Sequence, residues 1–159
     1  MQPQTQPPAS DPQSAAQSAI VCRRLPPSYG AVSFIMEFIV ATSEFGDMHA
    51  RTLFMGLKTQ IQHGYHIAAY RNKKLVGYCG WLHTTDQIAQ LWLKNEGKLQ
   101  EVPAASSDAV ALTIVRFTDG DAVLPAIRVC RQLNGERRVF FKRESRGDQP
   151  ARKSSVYNS

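Results

Sequence analysis

The stretch YHIAAYRNKKLVGYCGWLHT, residues 65–84, decides the fold. Its two halves are rich in aromatic and aliphatic residues, and the polar pair Asn72 and Lys73 stands between them. Such a pair between two apolar runs is typical of a two-residue turn that joins antiparallel strands. The sequence therefore predicts a β-hairpin with one strand over 65–71 and the other over 74–83.

Two helices are predicted before this hairpin. The first extends over 29–42, with Ser28 as its N-cap, because apolar residues recur there at helical spacing, namely Val32, Ile35, Met36, Ile39 and Val40. The second follows the turn-like segment SEFGD, with Asp47 as N-cap and His49 in its first turn. Gly64 ends this helix after the apolar positions Leu53, Phe54, Leu57 and Ile61.

Two further elements follow the hairpin. Either Thr84 or Thr85 can cap a third helix, which ends at Gly97 and is expected to turn Ile88, Leu91 and Trp92 inward. After the looser segment EVPAASSD comes AVALTIVRF, residues 109–117. Its nearly continuous apolar character is typical of a strand covered on both faces, so we expect it to be central in the sheet.

The last part of the chain predicts one helix and one strand. The turn TDGD leads into a helix with Val123, Ile127 and Cys130 at helical spacing, and Pro125 requires that helix to begin close by. The strand RRVFFKRE then closes the folded part. The resulting order α α β β α β α β predicts an α+β (mixed α/β) fold, with a central, mostly antiparallel sheet flanked by helices.

Composition predicts a single domain with polar ends. A chain of 159 residues with 43% hydrophobic content suits one core. The first twenty residues are rich in Gln, Pro, Ser and Ala, so residues 1–26 are expected to be a disordered leader. Residues 27–145 are expected to form the domain, and residues 146–159 a basic polar tail. The leader lacks the pattern of a secretory signal, and the apolar run 31–41 is too short to span a membrane, so a cytoplasmic protein is expected.

Cysteine and charge patterns limit the site chemistry. Cys22, Cys79 and Cys130 form no CxxC pair, so we expect reduced thiols acting as small apolar fillers and no metal site. The net charge is +6, and residues 137–153 carry seven basic side chains against two acidic ones. This basic stretch favours an acidic partner, which could be nucleic acid, a membrane surface or an acidic protein. Nucleic acid is the weakest candidate, because the charges lack interleaved aromatic residues for stacking bases.

Three segments follow one another along the chain: GDMHAR, residues 46–51, the hairpin end Tyr-Cys-Gly-Trp, and SSDAVALTIVRFTDGD. In this order they resemble the toxin-activating lysine acyltransferases. GDMHAR is similar to that family's histidine segment at the head of a helix. The hairpin ends in Tyr-Cys-Gly-Trp, residues 78–81, which resembles the family's Tyr-Cys-x-Trp motif. SSDAVALTIVRFTDGD, residues 106–121, is similar to a strand entering a Phe-Gly-Asp turn. Together the segments span about residues 40–133, most of the expected domain.

The resemblance implies a fold related to the GNAT acetyltransferases. It further implies that acyl carrier protein is the acyl donor, that internal lysines of an RTX protoxin are the acceptors, and that the enzyme itself holds no metal or prosthetic group. A homodimer is an expected assembly. The basic stretch 137–153 would then be a docking surface for the acidic carrier protein.

His49 is the catalytic residue that the resemblance implies, as a general base. A lysine amine has an unperturbed pKa near 10.4, so it must lose a proton before it can attack a thioester. A position in the first turn of a helix disfavours the imidazolium and keeps histidine able to accept that proton. His63, His66 and His83 have no comparable context and are predicted to be surface or strand residues.

The central strand departs from the family pattern. The family has a catalytic aspartate there, but counting back from Gly120 and Asp121 gives Ile114, and matching the apolar residues gives Thr113. Neither is an acid, so a catalytically impaired module that binds carrier protein or toxin is the alternative function. At the following turn, Asp119 and Asp121 would repel a pyrophosphate, which favours a protein-bound donor over coenzyme A.

Overall fold

The computed structural model describes residues 18–41, 49–143 and 152–156. Within these ranges there are four α-helices: α1 (Tyr29–Val40), α2 (Ala50–His63), α3 (Asp86–Lys94) and α4 (Val123–Asn134). The same ranges contain six strands: β1 (Val21–Arg23), β2 (His66–Arg71), β3 (Lys74–Thr84), β4 (Ala109–Phe117), β5 (Arg138–Arg143) and β6 (Arg152–Val156). One sheet contains the strands in chain order, and every pair is antiparallel except β4 with β5. The predicted α+β fold with a mostly antiparallel central sheet is confirmed.

The hairpin that opened the prediction forms β2 and β3. Asn72 and Lys73 both have positive φ angles, 51° and 64°. Two consecutive left-handed residues are the conformation of a tight turn whose twist matches that of the strands. The strand AVALTIVRF forms β4, which pairs with β3 on one side and β5 on the other, as expected of a central strand.

Most helix ends follow their sequence signals, but one predicted end and one predicted orientation were wrong. Ser28 Oγ accepts from the Ala31 amide at 3.1 Å, and Gly64 is left-handed after α2. Of the two threonines, Thr85 is the cap of α3. The expected end at Gly97 was wrong, because left-handed Asn95 ends that helix. The inward orientation of Leu91 was also wrong, since 39% of it is exposed.

Helices cover both faces of the sheet. The first face bears α1 and α2, which bury Ile35, Ile39 and Leu57 against Tyr78 and Ile114. α3 packs on the same face, where Ala89 meets Ala109 and Ala111. The opposite face bears α4, whose Cys130 packs with Trp81 and Val110. Alternation along β3 and β4 therefore gives each face its own core.

Both edge strands were missed in the predicted element order. β1 lies within the segment assigned to the leader, where it pairs with β2, and β6 lies within the segment assigned to the tail, where it pairs with β5. β1 has three residues and β6 is largely polar, so neither has an apolar alternation that would identify a strand. Asp47, the expected cap of α2, lies outside the described residues. In the described part of the chain, no helix is long and apolar enough to cross a membrane.

Candidate active site

A β-bulge lies in the middle of β4. Trp81 pairs with Leu112, whereas the preceding Gly80 pairs with Ile114, so Thr113 is an extra residue on β4. The bulge turns both Thr113 and Ile114 towards α2. Thr113 and Ile114 are also the two residues that the two ways of counting along the sequence gave for the expected acid. Neither residue supplies a carboxylate at this point of the strand.

A buried polar chain connects α2 to this bulge. Gln60 Nε2 donates to Thr113 Oγ1 at 2.7 Å, and the Tyr78 hydroxyl donates to Gln60 Oε1 at 3.0 Å. Burial raises the pKa of Tyr78 well above its usual value, so its hydroxyl keeps the proton that it donates. Gly80 provides the space, because a Cβ on it would lie 2.0 Å from Gln60 Oε1.

Sequence reasoning missed Gln60, although a signal for it was present. Its neighbours on the inner face of α2, Leu53, Leu57 and Ile61, are buried and apolar, and Gln60 lies on that same face. A lone amide on an apolar helical face must find hydrogen-bond partners in the core. The glycine in the Tyr-Cys-Gly-Trp motif was the second part of that signal.

His66 has a structural environment. The Leu25 amide donates to its Nε2 at 2.8 Å, so its proton is on Nδ1, which lies 3.1 Å from the Gln60 carbonyl oxygen. Burial lowers the pKa of His66, and the neutral ring satisfies both partners. This residue ties the end of α2 to the sheet, in agreement with its predicted place in a strand.

A cleft opens where β4 and β5 separate. Their parallel pairing extends only from Ala109 to Leu112 on β4, although β4 continues to Phe117. A cavity of about 320 Å³ lies beyond the last pair, between β4, β5 and α4. Among the described residues that line it, Arg131 is the charged one, and the others are apolar or thiol side chains, which include Cys79, Leu112, Val115, Ile127, Cys130 and Phe141. Ligand pockets typically start at roughly this size.

Two cysteines lie against this cavity. The thiol of Cys79 donates a hydrogen bond to Cys130, which together with burial raises the pKa of Cys79 well above its usual value. The same bond lowers the pKa of Cys130, whose Sγ also lies 3.5 Å from Asn134 Nδ2. Both cysteines are free thiols, as predicted. Their position beside a cavity could not be predicted from their spacing.

The turn between β4 and α4 holds its own carboxylates in place. Arg71 Nε is 2.6 Å from Asp119 Oδ2, and Arg71 Nη2 is 2.9 Å from Asp121 Oδ2. Asp119 also accepts from the Asp121 amide at 3.0 Å. The hydrogen bond from Arg71 lowers the pKa of Asp119 below its usual value. Negative charge is therefore fixed at the turn that leads into α4.

His49 lies at the start of α2 and is exposed. It was expected within the first turn of that helix but is its N-cap residue, and its side chain makes no capping hydrogen bond. About two helical turns, roughly 10 Å, separate His49 from Gly56, which packs on Ile114. It is therefore Gln60, and not His49, that α2 places against the bulge.

A second concavity of about 470 Å³ lies where α2 ends and is lined by His63, Tyr65, Glu101, Val102 and Pro103. His83 lies behind it, buried against the Tyr65 ring, with its Nδ1 2.8 Å from Ser107 Oγ. Burial, together with the charge of Arg137, lowers the pKa of His83 to about 4. His83 is therefore neutral at physiological pH.

Comparison with solved structures identifies the architecture. A GNAT-family acetyltransferase from Streptococcus agalactiae matches 79% of this chain and 76% of its own with a TM-score of 0.55 at 7% identity. The polyamine N-acetyltransferase of Drosophila melanogaster, which forms N-acetylagmatine, gives 0.55 at 12% identity over 80% and 78%. The chain has the GNAT acetyltransferase fold. A mosquito arylalkylamine N-acetyltransferase-like protein agrees, with a TM-score of 0.52 at 9% identity over 78% and 76%.

The likeness to the GNAT fold is one of structure. No protein-family sequence model and no curated protein sequence matches the chain. At identities of 7–12%, the structural likeness establishes the fold and does not establish the substrate or the acyl donor. The GNAT relation implied by the resemblance is thus confirmed at the level of the fold.

Proposed function

We propose that this protein is an N-acyltransferase that moves an acyl group from a thioester bound in the β4–β5 cleft to a primary amine. One observation carries the proposal: a parallel strand pair that separates beside an apolar cavity, within a GNAT fold. A thioester arm is long and narrow, and the fatty acyl chain that it carries is apolar, which suits such a cleft. The reacting carbonyl would then lie near the bulge of β4, where pairing with β5 ends.

The reaction needs one bond formed and one broken. The neutral amine attacks the carbonyl carbon, forming the C–N bond as the C=O electron pair moves to oxygen. The intermediate then collapses, breaks the C–S bond and expels the thiolate, which takes up a proton. The amine must lose two protons between its ammonium form and the amide product, so a base is required.

His49 is the proposed base. Because it is exposed at the start of α2, its imidazole can meet an incoming amine without displacing any core residue. A general base acts within hydrogen-bonding distance of the amine, directly or through one water. Because His49 lies roughly 10 Å from the residue packed on the bulge, it would take the proton through a chain of several waters, or before the amine reaches the carbonyl. Replacement by alanine is expected to abolish transfer, and unchanged activity would refute the assignment.

Acyl carrier protein is the proposed donor. The arm of an acyl carrier protein and that of coenzyme A share their pantetheine portion, so the apolar cleft suits either. They differ in the diphosphate, which would approach the turn at Asp119 and Asp121. Since Arg71 already binds both carboxylates, it is not free to bind a diphosphate, and the turn keeps a net negative charge that would repel one. This arrangement favours a donor that does not depend on a diphosphate contact.

The surface beside the cleft suits an acidic carrier. Leu124 and Ile127 are exposed on α4 next to the exposed Arg128, and Ile127 lines the cavity. Their spacing places them on one stripe of the helix. Two residues of the basic stretch instead face α3: Arg138 binds Asp86 at 2.9 Å and Lys142 binds Asn95. α4 is therefore the proposed docking surface, and internal lysines of an RTX protoxin are the proposed acceptors.

A matched pair of tryptophan substitutions tests the cleft. Ile127→Trp fills the mouth of the cavity and is expected to raise the KM for an acyl thioester about tenfold. With acyl-pantetheine as the donor, which has no carrier protein to dock on α4, Leu124→Trp is the control, because this residue is 65% exposed and does not line the cavity. Equal kinetics for the two variants would show that the thioester does not use this cleft.

A second comparison tests the donor. Arg128→Glu places a negative charge on the proposed docking stripe and is expected to weaken turnover of acyl-carrier protein about tenfold. Turnover of acyl-pantetheine, which has no carrier protein, is expected to stay unchanged. If both donors lose activity equally, or if acyl-coenzyme A is the only donor turned over, the carrier-protein assignment is wrong.

A non-catalytic binding module is the second candidate function. The observation that favours it is Thr113, at a point where the resembled family has a carboxylate. Such a module would bind acyl-carrier protein by the same cleft without consuming the thioester. Steady loss of the thioester with matching appearance of amide, at more than one turnover per protein, would exclude it.

A further inference from the structure

The polar chain from Tyr78 to Thr113 has a defined direction. Tyr78 donates to the oxygen of the Gln60 amide, and the nitrogen of that amide donates to Thr113 Oγ1. Tyr78 and Gln60 are fully buried, and Gly80 leaves space only for the side chain of Gln60. Donors aligned in series polarise one another, so the hydroxyl at the end of the chain becomes a stronger donor.

The proton of Thr113 is available at the end of this chain. Its oxygen already accepts from Gln60, and no acceptor for its own proton is found in the ranges 18–41, 49–143 and 152–156. Thr113 is only half-buried, unlike the two residues behind it. A hydroxyl with its oxygen occupied and its proton free is arranged to donate, and not to accept as a carboxylate would.

The position of Thr113 adjoins the proposed reaction centre. It follows Leu112, the last residue of β4 that pairs with β5, and Leu112 lines the cavity. From Thr113 onward the edge of β4 that would face β5 is unpaired in the described strands. The Thr113 side chain lies on the α2 face of the sheet, whereas the cavity lies on the α4 face. A thioester carbonyl would therefore meet the Thr113 hydroxyl by passing between the separated strands, at the bulge.

We propose that the Thr113 hydroxyl donates a hydrogen bond to the oxyanion of the tetrahedral intermediate, with Gln60 and Tyr78 as its positioning residues. This inference rests on the proposed function. The oxygen gains negative charge when the amine attacks, so a preorganised donor binds the intermediate more strongly than the thioester. Thr113, which stands where the resembled family has an aspartate, thereby donates a hydrogen bond at a point where a carboxylate could only accept one.

Substitutions at Thr113 test the role through the division between kcat and KM. Thr113→Val keeps the shape and removes the hydroxyl, so kcat is expected to fall about 100- to 1,000-fold with little change in KM. Thr113→Ser restores the hydroxyl and is expected to recover kcat to within about tenfold. Ile114→Val, at the neighbouring bulge residue, is the control and is expected to leave kcat within about twofold. Thermal unfolding of each variant, with assays run well below its Tm, separates this loss from instability.

Thr113→Asp tests whether the side chain at this position must donate a hydrogen bond or accept one. A carboxylate beside a developing oxyanion repels it, so this variant is expected to be at least as inactive as Thr113→Val. A gain of activity would overturn the inference and indicate a vacant acid site, and wild-type kcat in Thr113→Val would overturn it as well. If the wild-type protein consumes no thioester at all, the proposed function fails and the Thr113 role fails with it; wild-type turnover that survives Thr113→Val refutes Thr113 alone.

Discussion

Gly80→Ala is the substitution whose consequence the structure defines most sharply. The added Cβ would lie 2.0 Å from Gln60 Oε1, 2.4 Å from Cδ and 2.8 Å from Nε2, all far inside van der Waals contact. Gln60 is fully buried and cannot move outward, so it must abandon its hydrogen bonds to Tyr78 and Thr113. We therefore expect a substantial loss of stability from a single methyl group.

The magnitude follows from the groups that lose partners. Overpacking a core by one methyl group costs about 1–3 kcal/mol. Leaving buried polar groups without partners costs about 1–3 kcal/mol more. The free energy of unfolding of Gly80→Ala is thus expected to fall by roughly 3–5 kcal/mol, partial relaxation of the core included. Urea denaturation followed by the fluorescence of buried Trp81 measures it.

Two controls make the reasoning refutable. Gly120→Ala meets no atom within 4 Å and is expected to change stability by less than about 1 kcal/mol. In the background of Gln60→Ala, the added methyl group has space, so Gly80→Ala is expected to cost at least about 2 kcal/mol less there. A loss below about 1 kcal/mol for Gly80→Ala alone, or equal losses in both backgrounds, would refute the described packing of Gln60.

Further predictions concern other parts of the domain. The unfolded chain protonates a histidine near pH 6.5 and the folded state protonates His83 only at about 4, so lowering the pH through this window should cost roughly 3 kcal/mol of stability. His83→Gln should flatten that dependence in urea titrations at pH 7 and 4.5, and an unchanged slope would contradict the assignment. Arg71→Gln should lower the Tm at pH 7. The difference in Tm from wild type should shrink as acid protonates Asp119, whose folded pKa is depressed. A constant difference down to pH 2 would argue against the ion pair between Arg71 and Asp119. Gly77→Ala should destabilise the fold and perturb the cleft, because its Cβ would lie 2.2 Å from the Phe117 ring; unchanged urea midpoint and thioester KM would oppose this.

The hairpin and helix ends could be predicted because their signals are local. Asn72 and Lys73 between apolar runs, Ser28 before a helical period and Gly64 after one each act within a few residues. The α+β fold followed from the resulting order of elements. β1 and β6 could not be predicted, because a short or polar edge strand is stabilised by pairing and not by its own apolar pattern.

The candidate site was harder to predict because it depends on contacts between distant residues. Gln60 and Thr113 are 53 positions apart, and the bulge that brings them together is a feature of the pairing between β3 and β4. The sequence shows that neither Thr113 nor Ile114 is an acid, but the hydrogen-bonded chain from Tyr78 through Gln60 to Thr113 could not be predicted from it. The cleft likewise arises from how far β4 and β5 stay paired, which no single segment encodes. His49 remains a prediction from the resemblance.

The most direct test of the proposed function is a turnover measurement by intact-mass spectrometry. The purified protein is mixed with an excess of acyl-carrier protein and a lysine-containing RTX protoxin, and the masses of both substrates are measured over time. The proposed function predicts that each carrier protein that loses an acyl group is matched by one protoxin that gains the same mass, over many turnovers. A carrier protein that keeps its acyl group, in the presence of protein shown to bind it, would contradict an acyltransferase and leave a binding module.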